Sequence, residues 1–269
     1  MTDEELALLA LETGREAAEL LLAGWSDVQP VATKSTRHDL VTQMDRRSER
    51  LIRQLLAAAR PDDAVLGEEE GDTGVVGDDG VRWVVDPLDG TVNYFYGQQS
   101  WAVSIAAERA GAVVAGAVVA PALREEYTAF AGGGAWAVAD GRRERLQVSR
   151  VDRLSDAMVS TGFGYDPQRR GRQGRIAAAL LPQVRDMRRI GAAAVDLCWV
   201  AHGRIDAHYE CGLNFWDWAA GALMVCEAGG AATDLAGGAP ATGMTIAGPT
   251  PLVGQLADVL REAGASDCL

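Results

Sequence analysis

The sequence predicts a mixed α and β fold, with a mostly antiparallel sheet in the first half and an α/β alternation in the second. Two stretches of helical periodicity open the chain, short strands punctuated by Gly or Pro come after Val81, and strands alternate with helices after about residue 150. With 48% hydrophobic and 23% charged residues, there is enough apolar material for a sizeable core. At 269 residues the chain can form one large unit or two subdomains around a cleft, and the change of pattern divides it into 1–145 and 146–269.

Taken in order, Thr2 with Glu5 three places on is a capping box, and Leu6, Leu9, Ala10, Thr13, Ala17, Leu20 and Leu21 recur behind it at helical spacing. A second helix is expected over 46–59, where Ile52, Leu55, Leu56 and Ala59 form the buried stripe before Pro61. Strands are expected at 81–85, 101–107, 112–119, 126–130 and 135–139. The apolar stretch 102–120 carries Glu108, Arg109 and Gly111 at its middle, so it reads as two strands and a turn rather than a bilayer span. Later strands are expected at 157–161, 205–209 and 244–247, with helices at 174–181, 192–202, 218–228 and 251–263. The polar segments 71–80, 162–174 and 237–243 are expected to be mobile loops.

A formal net charge of −13, from 25 Lys plus Arg against 38 Asp plus Glu, argues against a nucleic-acid or anionic-membrane surface. The four cysteines, Cys198, Cys211, Cys226 and Cys268, show neither CxxC spacing nor the density of a disulfide framework, which favours a reducing interior. The start Met1-Thr2-Asp3-Glu4-Glu5 is acidic where a secretory signal would be basic, so a cytoplasmic location is expected. His38, His202 and His208 form no zinc pattern and read as structural or surface residues, as Trp199, Trp216 and Trp218 read as core or interface aromatics. Gly132, Gly134 and Ala137 fit GxGxxA, but a strand and hairpin turn come next instead of a helix. Without a GxSxG elbow, a Walker loop or a Cys–His pair, a side-chain nucleophile is not indicated.

Acidic residues placed at the ends of elements carry the chemistry instead. In Asp86-Pro87-Leu88-Asp89-Gly90-Thr91, an apolar strand delivers Asp86 at its end and Pro87 fixes a bend that can return Asp89 to the same side. Glu68-Glu69-Glu70 and Asp217 lie at further boundaries. Each has an ordinary reading: an Asp-Gly turn, a solvated charge run, a helix N-cap. Together, hard carboxylate oxygens without His or Cys select Mg²⁺, Mn²⁺ or Ca²⁺, and two such ions would supply the water nucleophile the chain lacks, which suits phosphate ester hydrolysis. The segment Arg169-Arg170-Gly171-Arg172 reads as a solvated loop, with contact to a substrate or a dimer partner as the alternative.

Gly67-Glu68-Glu69, Trp83 through Tyr94 and Trp216-Asp217-Trp218-Ala219-Ala220-Gly221 resemble the three motifs of the inositol monophosphatase family. Asp39-Leu40-Val41-Thr42 with Asp45, and Gly191 through Leu197, extend the likeness over nearly the whole chain. The resemblance implies a layered αβαβα sandwich, a homodimer, and Li⁺-sensitive hydrolysis of phosphate monoesters with two or three Mg²⁺ per site, for which Mn²⁺ can substitute. On the matched positions, Glu68, Asp86, the Leu88 carbonyl, Asp89 and Asp217 would hold metal, with Glu69 nearer an outer site. Glu68 and Thr91, with Asp45 behind Thr91, would activate the attacking water. Gly90 and Thr91 would hold phosphate, Ala193 and Glu210 would contact the alcohol, and Asp89 and Asp217 would also belong to the substrate-binding set. Val92-Asn93 resembles the branch acting on inositol phosphates, whereas Tyr94, Ala192 and Asn214-Phe215 depart from the usual pattern. myo-Inositol 1-phosphate is the substrate so implied. Histidinol-phosphate, fructose-1,6-bisphosphate and phosphoadenosine-phosphate phosphatases are the alternatives, with a Mg²⁺-responsive protein-binding scaffold outside enzymes.

Overall fold

The computed structural model describes residues 1–27, 30–33, 40–74, 80–139 and 141–268, so His38 and Asp39 lie outside the described residues. The first half of the chain comprises α1 (Asp3–Gly24), β1 (Pro30–Thr33), β2 (Leu40–Thr42), α2 (Gln43–Ala59), β3 (Ala64–Gly67), β4 (Gly71–Thr73), β5 (Val81–Asp89), α3 (Thr91–Phe95), β6 (Ala102–Arg109), β7 (Ala112–Ala120), β8 (Glu125–Phe130), β9 (Gly134–Ala139) and β10 (Arg142–Arg145). The second half comprises β11 (Met158–Thr161), α4 (Pro167–Leu180), β12 (Asp186–Arg188), α5 (Ala193–Ala201), β13 (Ala207–Glu210), α6 (Phe215–Glu227), β14 (Ala231–Thr233), β15 (Thr245–Gly248) and α7 (Thr250–Glu262).

An eight-stranded sheet runs β10-β9-β8-β7-β6-β5-β3-β4 and is antiparallel except where β3 lies parallel to β5. A five-stranded sheet runs β12-β11-β13-β15-β14, with β11 parallel to both its neighbours. Helices α1 and α2 cover the outer face of the large sheet, α5 and α6 fill the space between the sheets, and α4 and α7 cover the small sheet. The order is therefore αβαβα, the layered sandwich that the resemblance implies.

Local chemistry explains the layers. The Thr2–Glu5 capping box starts α1, whose buried stripe includes Leu6, Ala10, Ala17 and Leu21. That stripe lies on β7 so closely that a side chain at Gly14 would stand 3.0 Å from a Val119 methyl. The middle layer has apolar surface on both sides, so its helices are apolar nearly all round, and eight of the nine residues of α5 are buried. Small residues bring α6 down onto the sheet: a Cβ at Gly116 of β7 would lie 3.2 Å from that of Ala220. The turn between β6 and β7 places Ala110 and Gly111 at positive φ, the requirement of a two-residue hairpin turn.

Three expectations need correction. Residues 71–73 are the strand β4 rather than loop, and 75–79 lie outside the described residues. Residues 162–174 are not all loop: Asp166 caps the Arg169 N–H at 2.8 Å, Pro167 takes the first helical position, and α4 begins there. The cysteines are not all free either, since Cys211 and Cys268 form a disulfide with Cα atoms 6.3 Å apart, while Cys198 and Cys226 remain thiols. A pairing across 57 residues leaves no spacing signature; the turn after α7 brings Cys268 back onto the small sheet. Cysteine usage therefore no longer argues for a reducing compartment. Among the described residues, no helix is long and apolar enough to cross a membrane.

Candidate active site

The ends of β5, β13, α5 and α6 converge on one cavity. Along β5, Trp83 and Val85 face the outer helices and Val84 the middle layer, so the same alternation turns Asp86 inward. Pairing with β6 slips between Asp86 and Asp89, a bulge that re-aims the residues beyond it. The Leu88 N–H donates to Asp86 Oδ1 at 3.0 Å, and the Ser48 hydroxyl donates to the Pro87 carbonyl at 2.8 Å. Gly90 then turns the chain at φ +86, where a side chain would meet the Ser100 carbonyl at 2.9 Å.

Thr91 opens α3. Its hydroxyl lies 2.8 Å from Asp45 Oδ1 and 3.1 Å from the Leu88 carbonyl. One proton serves only one acceptor at a time, and Asp45 Oδ1 is the nearer. The other Asp45 oxygen accepts from the Thr42 N–H (2.7 Å) and hydroxyl (2.6 Å), the capping box of α2. Tyr94 points away from the cavity: its hydroxyl donates to the Leu21 carbonyl at 2.6 Å and its ring packs edge-on against Trp101.

Glu68 comes directly after β3 and continues its pairing, its N–H donating to the Val85 carbonyl at 3.2 Å. The turn after it is held by Glu49, a buried carboxylate that sequence reasoning missed. Glu49 accepts from the Glu69 and Glu70 N–H groups (2.7 and 3.0 Å) and pairs with Arg53 at 2.8 Å. Asp89 accepts from the Ala193 and Ala194 N–H groups at 3.2 and 2.7 Å, thereby capping α5 from another part of the chain. Asp217 is the third residue of α6 rather than its N-cap; Asn214 caps the helix, and Asp217 accepts the Asn214 N–H at 2.6 Å. Glu210 ends β13 and lies over Gly162, where any side chain would collide with its carboxylate.

Glu68, Asp86, Leu88, Asp89, Gly90, Thr91, Ala193, Glu210 and Asp217 all line this cavity of about 550 Å³. Asp45 stays buried behind Thr91, and Glu69 lies outside the lining, 4.0 Å from Arg46. Arg169 and Arg189 also line the cavity; Arg169 belongs to the segment read as a solvated loop, and Arg189 was not singled out. The signal for Arg169 existed in Asp166-Pro167, a helix start; nothing in the sequence sets Arg189 apart from its neighbour Arg188.

The carboxylates crowd one another. Burial lifts Asp89 to about 6 against the pull of the Ala194 and Ala193 N–H groups. Burial likewise lifts Glu210 to about 8, with Arg189 opposing and Asp89 adding to the rise. Burial and the charge of Glu68 hold Asp217 well above the usual carboxylate range. Among the described residues no three His, Cys, Asp or Glu side chains stand as a ready metal cage, because oxygens of Asp86, Asp89 and Asp217 face backbone N–H groups. The donor set nonetheless fits a hard divalent cation: oxygen only, buried, and short of positive charge.

This crowding makes stability depend on pH. An acid raised in the folded state keeps a proton that the unfolded chain has released, so stability falls as pH rises up to about 8. His208, lowered by burial to about 3, acts in the opposite sense below 6.5, where the unfolded chain takes a proton that the folded one refuses. From 6.5 to 8 the acids act unopposed. In chelator, the melting temperature is expected to fall by about 5 °C over that window, and Mg²⁺ to erase the fall; a flat or rising profile in chelator would show that the acids are not crowded.

An acid-rich cavity roofed by helix termini, in a five-layered α/β sandwich, defines a phosphatase of the metal-requiring kind. The inositol monophosphatase family model matches residues 2–265, and the chain belongs to that family. It is 47% identical to an inositol-1-monophosphatase of Mycobacterium bovis over 227 residues, 82% of this chain and 77% of the relative. A Pseudomonas aeruginosa relative named Nus factor SuhB is 40% identical over 235 residues, covering 85% of each chain. The solved structure of Mycobacterium tuberculosis SuhB superposes with a TM-score of 0.85 at 40% identity, over 98% of this chain and 99% of that one.

Proposed function

We propose that the chain is a Mg²⁺-dependent phosphomonoesterase of polyol phosphates, with myo-inositol 1-phosphate its best substrate. The observation that carries this reading is the convergence of Glu68, Asp86, Asp89 and Asp217 on one cavity beside the Gly90–Thr91 turn. Glu68, Asp86, the Leu88 carbonyl, Asp89 and Asp217 would hold the ions. When bound, Mg²⁺ supplies the positive charge that draws in an anionic ester and acidifies water. Thr91, its proton drawn to Asp45, presents a lone pair to the attacking water, and Glu68 takes the water's proton. The N–H groups of Gly90 and Thr91 hold phosphate oxygens, as first-turn groups have no partner inside a helix. Ala193 and Glu210 face the alcohol, and an ionised Glu210 accepts hydrogen bonds from ring hydroxyls.

Phosphate release from inositol 1-phosphate, histidinol phosphate, fructose 1,6-bisphosphate and phosphoadenosine phosphate tests the reading. Wild type is expected to turn over the inositol ester best and Asp89→Asn to lose that activity. Equal background release by both proteins on every compound would favour the scaffold reading, which the relative named Nus factor SuhB supports. The same proposal includes a cytoplasmic homodimer whose subdomains, 1–145 and 146–269, each supply part of the site.

A further inference from the structure

Three buried side chains behind the alcohol end of the cavity, Ser160, Asp196 and His208, are unused by the proposed chemistry and stand next to Glu210, which it uses. Ser160 on β11 and His208 on β13 are cross-strand neighbours, and their side chains meet at 2.9 Å, Oγ to Nδ1. Asp196 of α5 lies on the same face: its Oδ1 is 4.0 Å from His208 Nδ1 and has no hydrogen-bond partner, and the neighbouring Ser160 hydroxyl favours its ionised form. Two residues along β13 from His208, hence on the same face, is Glu210, its Oε2 3.7 Å from His208 Nε2. Ser160, Asp196 and His208 are at most 1% exposed. His208 Nε2 has no hydrogen-bond partner, and it faces the Glu210 carboxylate.

Resting on the polyol phosphatase reading, we infer that His208 is a positioning residue for Glu210, and that Ser160 and Asp196 give the Glu210 proton a second home inside the protein. Two arrangements hold the same number of protons. In one, Glu210 is protonated and donates to Nε2, Nδ1–H donates to Ser160 Oγ, and the Ser160 hydroxyl donates to an ionised Asp196. In the other, each proton has moved one link along: Asp196 is protonated and donates to Ser160, Ser160 donates to Nδ1, and Nε2–H faces an ionised Glu210. One proton has passed from Glu210 to Asp196, with none gained or lost. A polyol hydroxyl needs the ionised form, so alcohol binding selects the second arrangement without releasing a proton to solvent.

The surroundings support a shared proton. Burial raises both acids, which disfavours ionising the pair at once. Other charged groups acting on Glu210 are Arg189, which favours its ionised form, and Asp89, which opposes it; Asp217 also interacts with it. Arg189 and Asp89 act on Asp196 in the same senses. His208 stays neutral throughout, as its burial requires.

The test compares KM for myo-inositol 1-phosphate with KM for phenyl phosphate, which has no alcohol hydroxyls and cancels the titration of the phosphate and the metal ligands. In wild type the ratio is expected to stay flat from pH 8 to 6.5. In His208→Phe and Ser160→Ala the proton must leave to solvent, so the ratio is expected to rise as pH falls, by up to about tenfold per unit. Ser160 does not line the cavity, so a merely structural role would lower the melting temperature without creating that slope. Ser160→Ala, the smaller change, decides the matter should His208→Phe not fold. A slope already present in wild type, or a flat ratio in the folded variants, would overturn the inference; absence of turnover on both compounds would instead defeat the phosphatase reading. Long-range ¹H–¹⁵N NMR gives a readout without turnover, because the chain has only three histidines. Saturating myo-inositol and inorganic phosphate with Mg²⁺ are expected to move the His208 proton from Nδ1 to Nε2, and an unchanged tautomer or an imidazolium signal would also overturn the inference.

Discussion

Glu68→Gln is expected to lower kcat about 10³-fold while KM stays within about threefold, because a positioned general base contributes 10²–10⁴ to rate and little to ground-state binding. The substitution keeps shape but removes a charge, and with it both the capacity to take a proton and one anionic metal ligand, so the comparison is made at saturating Mg²⁺. Its backbone anchor, the N–H donated to the Val85 carbonyl, is untouched, and the Glu49 clamp on the next two residues remains. The variant should therefore fold as wild type does. Steady-state kinetics on inositol 1-phosphate decide the role; a change confined to KM would place Glu68 in substrate binding instead.

Removing divalent metal is expected to have the second large effect, a loss of about 10³-fold or more in turnover together with loss of substrate binding, since electrostatic stabilisation of this kind supplies several kcal/mol. The reason lies in the charge arithmetic. The chain carries a net −13 and its cavity gathers six acids, Glu68, Asp86, Asp89, Asp166, Glu210 and Asp217, against two arginines, Arg169 and Arg189, so an anionic ester meets repulsion until cations enter. Isothermal titration with inositol 1-phosphate in chelator should show no binding, and added Mg²⁺ should restore it. Asp86→Asn, which removes a carboxylate without altering the volume, should shift the Mg²⁺ requirement upward. Tight ester binding in chelator would refute the electrostatic account.

Much of the fold was legible. Thr2 and Glu5 marked the start of α1, Pro61 stands just past the end of α2, and the strands from Val81 to Ala139 fell within a few residues of their expected places. Short edge and connecting strands, β1, β2, β3, β4, β10, β12 and β14, were missed because three or four residues carry little periodicity to read. The middle helices were recognised, though α6 begins at Phe215, not Trp218, because Asn214 and Asp217 cap it as a pair.

The candidate site divides in the same way. Asp86, Asp89 and Glu68 announced themselves as acids at the ends of apolar runs, a pattern local to a few residues. Glu49, Arg169 and Arg189 did not, because their roles depend on distant partners: the 68–70 turn for Glu49, and for the arginines a cavity to which remote segments contribute. The Cys211–Cys268 disulfide belongs with them.

By itself the sequence determined which segments are helix or strand, where acid is concentrated and, through its motifs, the family; all of these are written in neighbouring residues and their spacing. Only the tertiary structure decided that Asp89 caps α5, that the Thr91 hydroxyl meets Asp45 at 2.8 Å, and that Ser160, His208 and Asp196 gather beside Glu210 at one end of the cavity. Hydrogen bonds and Coulomb forces act over a few ångströms, and chain separations of 46 to 105 residues close to that distance only after the layers have packed.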